Sequence, residues 1–242
     1  MKKYGLIGFP LGNTFSESYF KKKFKALKLN NSYSNFPIQD LRNIRSVIAP
    51  LDLEGFNVTY PHKESIINYL DDLSDEAKKI GAVNCVKIID DLWIGYNTDA
   101  FGFEVSLRQF IPKSFKGTAL IIGNGGAANA VRFVLQKLQI PYQSCNRTEK
   151  KDCISFDKID KKLIGQHQLI IQTTPLGMGN LCNSYPPIPY EALTPNHYAF
   201  DLVYVPSKTL FLMQCELHHA TIKNGFEMLI LQADKSYEIW NS

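Results

Sequence analysis

The stretch Gly117 to Ala130, GTALIIGNGGAANA, decides the fold. Apolar residues Ala119 to Ile122 end at Gly123, and Gly125 and Gly126 follow. Apolar side chains then recur at Ala127, Ala130, Val131, Val134, Leu135 and Leu138, the spacing of one helix face. Strand, glycine turn and helix in that order let the backbone approach a pyrophosphate closely. The helix start adds unpaired N–H groups and the positive end of its dipole. Ala128 stands at the third glycine position of the G-x-G-x-x-G fingerprint and is small enough for the helix to pack on the strand. A tight strand-to-helix turn that binds nothing would carry the same glycines.

The next strand sharpens the choice. Tyr142 to Cys145 runs into Asn146-Arg147-Thr148-Glu149-Lys150-Lys151, about 20 residues past the glycines, where dinucleotide folds read the ribose. An acidic residue there would select NAD through the 2′-hydroxyl. The first charge here is Arg147, with Lys150 and Lys151 nearby, which suits a 2′-phosphate and makes NADP the expected cofactor. A solvated basic turn is the competing reading. The cofactor candidates from these two stretches are Gly123, Gly125, Gly126, Ala127, Asn146, Arg147, Thr148 and Lys151.

Working outward, 242 residues allow one large domain or two modest ones, each able to bury a core. Hydrophobic residues make up 45% and charged ones 21%, ordinary for a soluble globular protein. The net charge of +4 is mild, and Lys21-Lys22-Lys23 is the longest cationic run, which disfavours nucleic acid or membrane as the main partner. Five cysteines without C-x-x-C spacing read as reduced thiols, mostly core fillers, and no metal site is expected. The apolar stretch at the start is too short for a signal peptide, and no apolar run reaches membrane-spanning length. The expected setting is the cytoplasm.

Along the chain, Tyr4 to Phe9 reads as a strand, followed by a helix from Ser16 that buries Tyr19, Phe20, Phe24 and Leu27. Tyr33 to Ile38 reads as a strand, Leu41 to Ile48 as a helix, and Gly55 to Thr59 as a strand. Helices are expected over 61–70 and 74–80, the first opened by Pro61. Val83 to Ile89 and Leu92 to Tyr96 form a hairpin with Asp90-Asp91 as its turn. A linking helix spans Asn97 to Gln109. Strands near 119–122, 142–145, 168–172 and 198–203 then alternate with helices, which implies a parallel sheet. The expectation is an α/β chain of two domains with a ligand cleft between them. An N-terminal α/β substrate domain spans 1–98, and a Rossmann-type NADP-binding domain spans 99–224. A final helix, 225–242, packs back onto the first.

The densest polar cluster of the first part is Asn57-Val58-Thr59-Tyr60-Pro61-His62-Lys63. A lysine in the first turn of a helix is disfavoured by the dipole, which hints at a task, although such side chains also bend back into water. Asp99 falls at the opening of the linking helix, where a plain helix-starting role is the alternative. If Asp99 faces Lys63, the carboxylate holds the ammonium and the lysine passes a proton to a carbonyl oxygen as hydride arrives.

With these residues in place the sequence resembles the shikimate dehydrogenase family over nearly its whole length. The motifs GLIGFPL, NVTYPHK, GAVN, GYNTDAFG, GNGGAANA, NRT, TTPLGM, DLVYVP and NGFEMLILQA occur in the family's order. Each is weak alone, and in this order they are highly specific. The resemblance implies reversible NADPH-dependent reduction of 3-dehydroshikimate to shikimate in aromatic amino acid biosynthesis. The expected partners are that small-molecule substrate and, at most, a second copy of the chain, as a monomer or homodimer. It implies Lys63 and Asp99 as the catalytic pair, and Thr14 and Ser16 on the substrate carboxylate. Asn57, Thr59, Asn84, Asp99 and Gln232 would hold the ring hydroxyls, with Tyr204 closing over the substrate. Leu202 and Gly225 would border the nicotinamide, and Asp75 would lie near the cofactor. Ser16 also suits a helix N-cap.

Three departures from the family pattern stand out. Asn13-Thr14 replaces His-Ser, which adds a methyl at the carboxylate end and opens quinate/shikimate dehydrogenase as an alternative. Gln172 replaces an asparagine before the Thr173–Met178 loop. Ala128-Asn129 stands where a small residue and an arginine are usual. A non-catalytic dinucleotide sensor is the remaining reading, and Lys63 with Asp99 argues against it.

Overall fold

The computed structural model describes residues 1–149 and 152–242. They divide into two compact units, Met1–Thr98 with Gln232–Ser242, and Asp99–Leu231.

The first unit is built on a six-stranded mixed sheet. Its strands are β1 (Lys3–Gly8), β2 (Ser32–Pro37), β3 (Gly55–Val58), β4 (Asp72–Leu73), β5 (Cys85–Ile89) and β6 (Leu92–Tyr96), in the order β2-β1-β3-β5-β6-β4. β2, β1 and β3 run parallel, with Leu6 opposite Asn35 on one side and Asn57 on the other, while β5 is antiparallel to both β3 and β6. Asp90 and Asp91 form the β5–β6 turn with φ of 48° and 64°, the left-handed pair that a two-residue hairpin needs. Helices α1 (Phe15–Ala26), α2 (Ile44–Ile48) and α3 (Asp75–Ile80) cover the sheet.

Because side chains alternate across a strand, Ile7, Phe56 and Val58 pack with Ile44, Ile66 and Trp93 on one face. Tyr4 and Leu6 pack with Phe20, Phe24, Tyr33 and Trp240 on the other. Trp240 stacks on Tyr4 at 4.7 Å between ring centroids and donates from Nε1 to Val86 O at 2.9 Å. A Cβ on Gly55 would collide with that indole, so glycine there makes room for it.

Three local expectations fail. Leu27, expected on the buried face of the first helix, is instead its C-cap and is exposed, because the helix ends there and only its Phe20 and Phe24 are buried. The helix after β1 starts at Phe15 with Thr14 as its N-cap, not at Ser16, because the Thr14 hydroxyl reaches the Glu17 amide at 3.3 Å. The segment 61–70 is not an α-helix: turns lead into a single 3₁₀ stretch, Ser65–Tyr69, and the short β4 follows. Lys63 therefore lies in a turn and not in a helix, so no helix dipole acts against its charge.

The second unit carries a six-stranded sheet that is parallel throughout. Linking helix α4 (Thr98–Phe110) leads into β7 (Ala119–Ile122), α5 (Gly126–Lys137), β8 (Tyr142–Asn146), β9 (Cys153–Ser155), α6 (Lys161–Gln166), β10 (Leu169–Gln172), β11 (Tyr198–Asp201), α7 (Leu210–Leu217) and β12 (Thr221–Lys223). The spatial order is β12-β11-β10-β7-β8-β9. This is the doubly wound arrangement in which the winding reverses between the first strand, β7, and the fourth, β10, and ligands bind outside the carboxyl ends of the strands at that reversal. All residues of β7 and β10 are buried, as strands covered on both faces must be. The three-residue strands β9 and β12 extend the sheet beyond those read from sequence. The last helix, α8 (Phe226–Asn241), begins in this unit and continues into the first at Gln232.

Candidate active site

In the first unit a buried polar network joins the strand ends to α8. Tyr33 Oη donates to Asn57 Oδ1 at 2.9 Å, and Asn57 Nδ2 donates to Asn84 O at 3.0 Å and to Ser236 Oγ at 2.9 Å. Asn84 Nδ2 donates to Thr98 Oγ1 at 2.9 Å and to Gln232 Oε1 at 3.4 Å, while Thr98 N donates to Asn84 Oδ1 at 2.6 Å. Ser236 Oγ closes the ring, donating to Gln232 O at 2.9 Å and lying 3.1 Å from Thr98 Oγ1. Buried amides and hydroxyls left unpaired would each cost about 1–3 kcal/mol, so a satisfied network fixes its rotamers. The structure thus brings Asn57, Asn84 and Gln232 together, and adds Tyr33, Thr98 and Ser236. Burial raises the Tyr33 phenol well above its ordinary value, so it stays a neutral donor.

At the start of α1, Thr14 Oγ1 donates to Asn35 Oδ1 at 2.9 Å, and Asn35 Nδ2 reaches Glu17 Oε2 at 2.7 Å. The Ser16 side chain lies beside the Tyr33 phenol, which itself donates to Asn57. Thr59 and Lys63 follow β3 in a loop anchored by backbone bonds: Thr59 N to Ile7 O at 2.8 Å, Phe9 N to Tyr60 O at 3.0 Å, and Val83 N to Lys63 O at 2.7 Å. His62 is buried, with Nε2 2.6 Å from Ile38 O. Asp75 is exposed in the first turn of α3, where Ser74 caps the helix.

Asp99 belongs to the second unit, buried in the first turn of α4. Its chain neighbours are pinned on the first unit's side, Thr98 as above and Asn97 by Nδ2 to Ala82 O at 2.9 Å.

The glycine turn separates into two kinds of position. Gly123 has φ +121°, and a Cβ there would collide with Thr173 Oγ1, which itself donates to Ile122 O at 2.9 Å. The fold itself requires that glycine. Gly125, the N-cap of α5, has extended backbone, φ −102° and ψ −171°, and a Cβ on it would meet nothing within 4 Å. Neither its conformation nor its neighbours demand glycine, so the open space in front of it is room for a group from outside the chain. A pyrophosphate held by the amides at the start of α5 fits that space. Gly126 and Ala127 form the first turn of the helix.

Across the sheet, β8 ends at Asn146, with Arg147 and Thr148 exposed beyond it; Lys150 and Lys151 lie outside the described residues. On the other side of β7, Gln172 is fully buried and braces the Thr173–Met178 loop. Its Oε1 accepts from Thr174 N at 2.5 Å and its Nε2 donates to Leu176 O at 2.9 Å. The longer amide that departs from the family pattern is thereby bonded at both its oxygen and its nitrogen. Leu202 and Gly225 come together: Gly225 N donates to Val203 O at 3.1 Å, and a Cβ on Gly225 would strike Leu202 O. Tyr204 follows, partly buried, with its phenol pushed up by desolvation.

Sequence reasoning did not single out Asp201. It is fully buried at the end of β11, where burial lifts its carboxyl to about 7. Val203 N donates to Oδ1 at 2.9 Å and Thr209 Oγ1 to Oδ2 at 2.5 Å, so this one side chain ties the Leu202–Tyr204 turn to the start of α7. Among the described residues no group of three or more His, Cys, Asp or Glu could hold a metal ion, and no helix is long and apolar enough to cross a membrane.

A profile of the shikimate dehydrogenase substrate binding domain matches residues 6–86. Shikimate dehydrogenase (NADP(+)) of Staphylococcus haemolyticus strain JCSC1435 is 38% identical over 249 residues, spanning 98% of this chain and 92% of that protein. The chain belongs to the shikimate dehydrogenase family. Among solved structures, a shikimate dehydrogenase in complex with NADP+ is 34% identical with a TM-score of 0.88, covering 99% of this chain and 89% of that one. The shikimate 5-dehydrogenase of Thermus thermophilus, solved with NADP(H) and shikimate, is 28% identical with a TM-score of 0.88, covering 99% and 93%. Family membership extends over both units, since the coverage leaves almost none of the chain outside it.

Proposed function

We propose that this chain is an NADP-dependent shikimate dehydrogenase, an oxidoreductase that reversibly reduces 3-dehydroshikimate to shikimate in aromatic amino acid biosynthesis. The full-length relationship to a shikimate dehydrogenase (NADP(+)) carries the reading. The open face of Gly125 at the winding reversal supports the cofactor, as does a β8 terminus that leads into Arg147 and not into an acid.

NADPH, once held there, would supply a hydride to the ring ketone. The chain's own residues orient the substrate and manage the proton. Lys63 gives its ammonium proton to the ketone oxygen as it becomes a hydroxyl, and Asp99 holds the lysine in place; in the oxidative direction Lys63 takes that proton back. Asn57, Thr59, Asn84, Asp99 and Gln232 hold the ring hydroxyls, a role suited to amides whose rotamers are already fixed. Thr14 and Ser16 take the carboxylate, and Tyr204 covers the substrate. Gly123, Gly125, Gly126 and Ala127 would cradle the pyrophosphate. Asn146, Arg147, Thr148 and Lys151 take the adenosine end, with Leu202, Gly225 and Asp75 completing the cofactor set. The first unit, in this assignment, is the substrate domain and the second the NADP domain, of a cytoplasmic monomer or homodimer.

The test is NADPH oxidation with 3-dehydroshikimate, with NADH and quinate as controls. Lys63→Ala is expected to lower kcat about 10²–10⁴-fold, the usual worth of a general acid, with NADPH affinity unchanged. Near-normal turnover by that variant would overturn the proton-transfer role, and equal use of quinate would shift the substrate reading to quinate/shikimate dehydrogenase.

A further inference from the structure

Arg132 lies in the middle of α5, between the glycine turn and β8. Side chains on a helix lean toward its N-terminus, and three residues of rise are about 4.5 Å, so an arginine at 132 reaches back over residue 129. It does: Nη2 donates to Asn129 Oδ1, and Nη1 lies 3.4 Å from Ser144 Oγ on β8. Ser144 shares its strand face with Asn146, two residues further along. The guanidinium is therefore held between the first turns of α5 and the terminal part of β8.

Both of these partners are neutral. Among the described residues no salt bridge engages Arg132, although its side chain is partly buried. The nearby acid in sequence, Glu149, is taken by Lys158 at 2.6 Å. A partly buried guanidinium fixed by two neutral acceptors, with no carboxylate on it, has further N–H donors to offer, the arrangement suited to an anion arriving from outside. The anion that the cofactor brings to the end of β8 is the ribose 2′-phosphate.

We propose that Arg132 is a second guanidinium for the 2′-phosphate of NADP, acting beside Arg147, with Asn129 and Ser144 as the acceptors that hold it in place. Asn129 then has a positive use: a neutral amide there positions the arginine one turn below without quenching its charge. This inference rests on the NADP reading and makes Arg132 a determinant of NADP over NAD.

The experiment is calorimetric titration of the full chain with adenosine 2′,5′-bisphosphate and, separately, with ADP, which lacks the 2′-phosphate. Arg132→Gln should weaken the bisphosphate about 10–100-fold, the worth of one charge-assisted hydrogen bond, and leave ADP within about threefold. Arg132→Lys, which keeps the charge and loses the planar fork, should weaken the bisphosphate alone by about 3–10-fold, and it decides the matter if Arg132→Gln does not fold. Equal weakening of both ligands would assign Arg132 a purely structural role and overturn the proposal, as would no weakening of either. A wild-type chain that binds the bisphosphate no better than ADP would overturn the NADP reading itself, and this proposal with it.

Discussion

Alanine at Gly125 and alanine at Gly123 should have separable effects, because one glycine faces open space and the other faces the protein. Gly125 has an extended backbone that any residue adopts, and its added methyl meets nothing within 4 Å. The weaker N-cap preference of alanine and the reduced freedom of the unfolded chain nearly cancel, leaving a net change of about 0.5 kcal/mol or less, or a Tm shift of about 2 °C at most. The methyl would nevertheless occupy the position assigned to the pyrophosphate. Losing one charge-assisted N–H contact should raise the Kd for NADPH about 10–100-fold. Gly123→Ala must instead adopt φ +121° and displace Thr173. That strain is worth about 1–3 kcal/mol, or a Tm lower by about 3–10 °C. Thermal melts and NADPH fluorescence titrations on both variants measure the four quantities. If Gly125→Ala melts normally and binds NADPH within about threefold of wild type, the space in front of Gly125 is not the phosphate site.

Two further outcomes follow from buried groups. Asp201 carries a carboxyl raised from 3.8 to about 7, so between pH 4 and 7 the folded chain holds a proton that the unfolded chain has released. Its contribution to stability is present below about pH 4 and is lost as pH rises toward 7, by at most about 4 kcal/mol at 1.36 kcal/mol per unit. Asp201→Asn should melt near wild type at pH 4.5 and above it at pH 8, and a gap that does not widen with pH would count against the buried-charge account. Ser236→Ala removes a hydroxyl that bonds Asn57, Thr98 and Gln232 O and should cost about 1–3 kcal/mol. It should also raise the KM for shikimate while leaving that for NADPH unchanged; unaltered melting and an unaltered shikimate KM would show that the network does not preorganise Asn57 and Gln232.

Much of this was legible from the sequence because glycine turns and 3.6-residue periodicity act locally. The β7–α5 turn, the parallel sheet and the Asp90-Asp91 hairpin all follow from neighbours in the chain. The misses come from tertiary context. Strands β9 and β12 are three residues long and owe their existence to the strands beside them, not to any apolar run of their own. Residues 61–70 contain helix-compatible spacing, yet backbone bonds from Phe9 and Val83 to Tyr60 and Lys63 hold the loop in turns. Tyr33, Thr98 and Ser236 are polar and look like surface residues in isolation. A signal for Ser236 was available: it shares a helical face with Gln232, Ala233 and Trp240, the stripe that α8 buries. Asp201 offered none, since a carboxylate at a strand end is ordinary until its burial is known.

Helix α8 enters the first unit only at Gln232, and its later turns supply Ser236 to the polar network and Trp240 to the stack on Tyr4. During synthesis, therefore, residues 1–98 emerge first but lack the lid of their own core until Trp240 has been translated. Residues 99–231 are all in hand before that point. The ribosome thus delivers a chain whose later portion can settle before the earlier one, reversing the usual N-terminal-first sequence. A stop codon in place of Gln232 would damage the beginning of the protein.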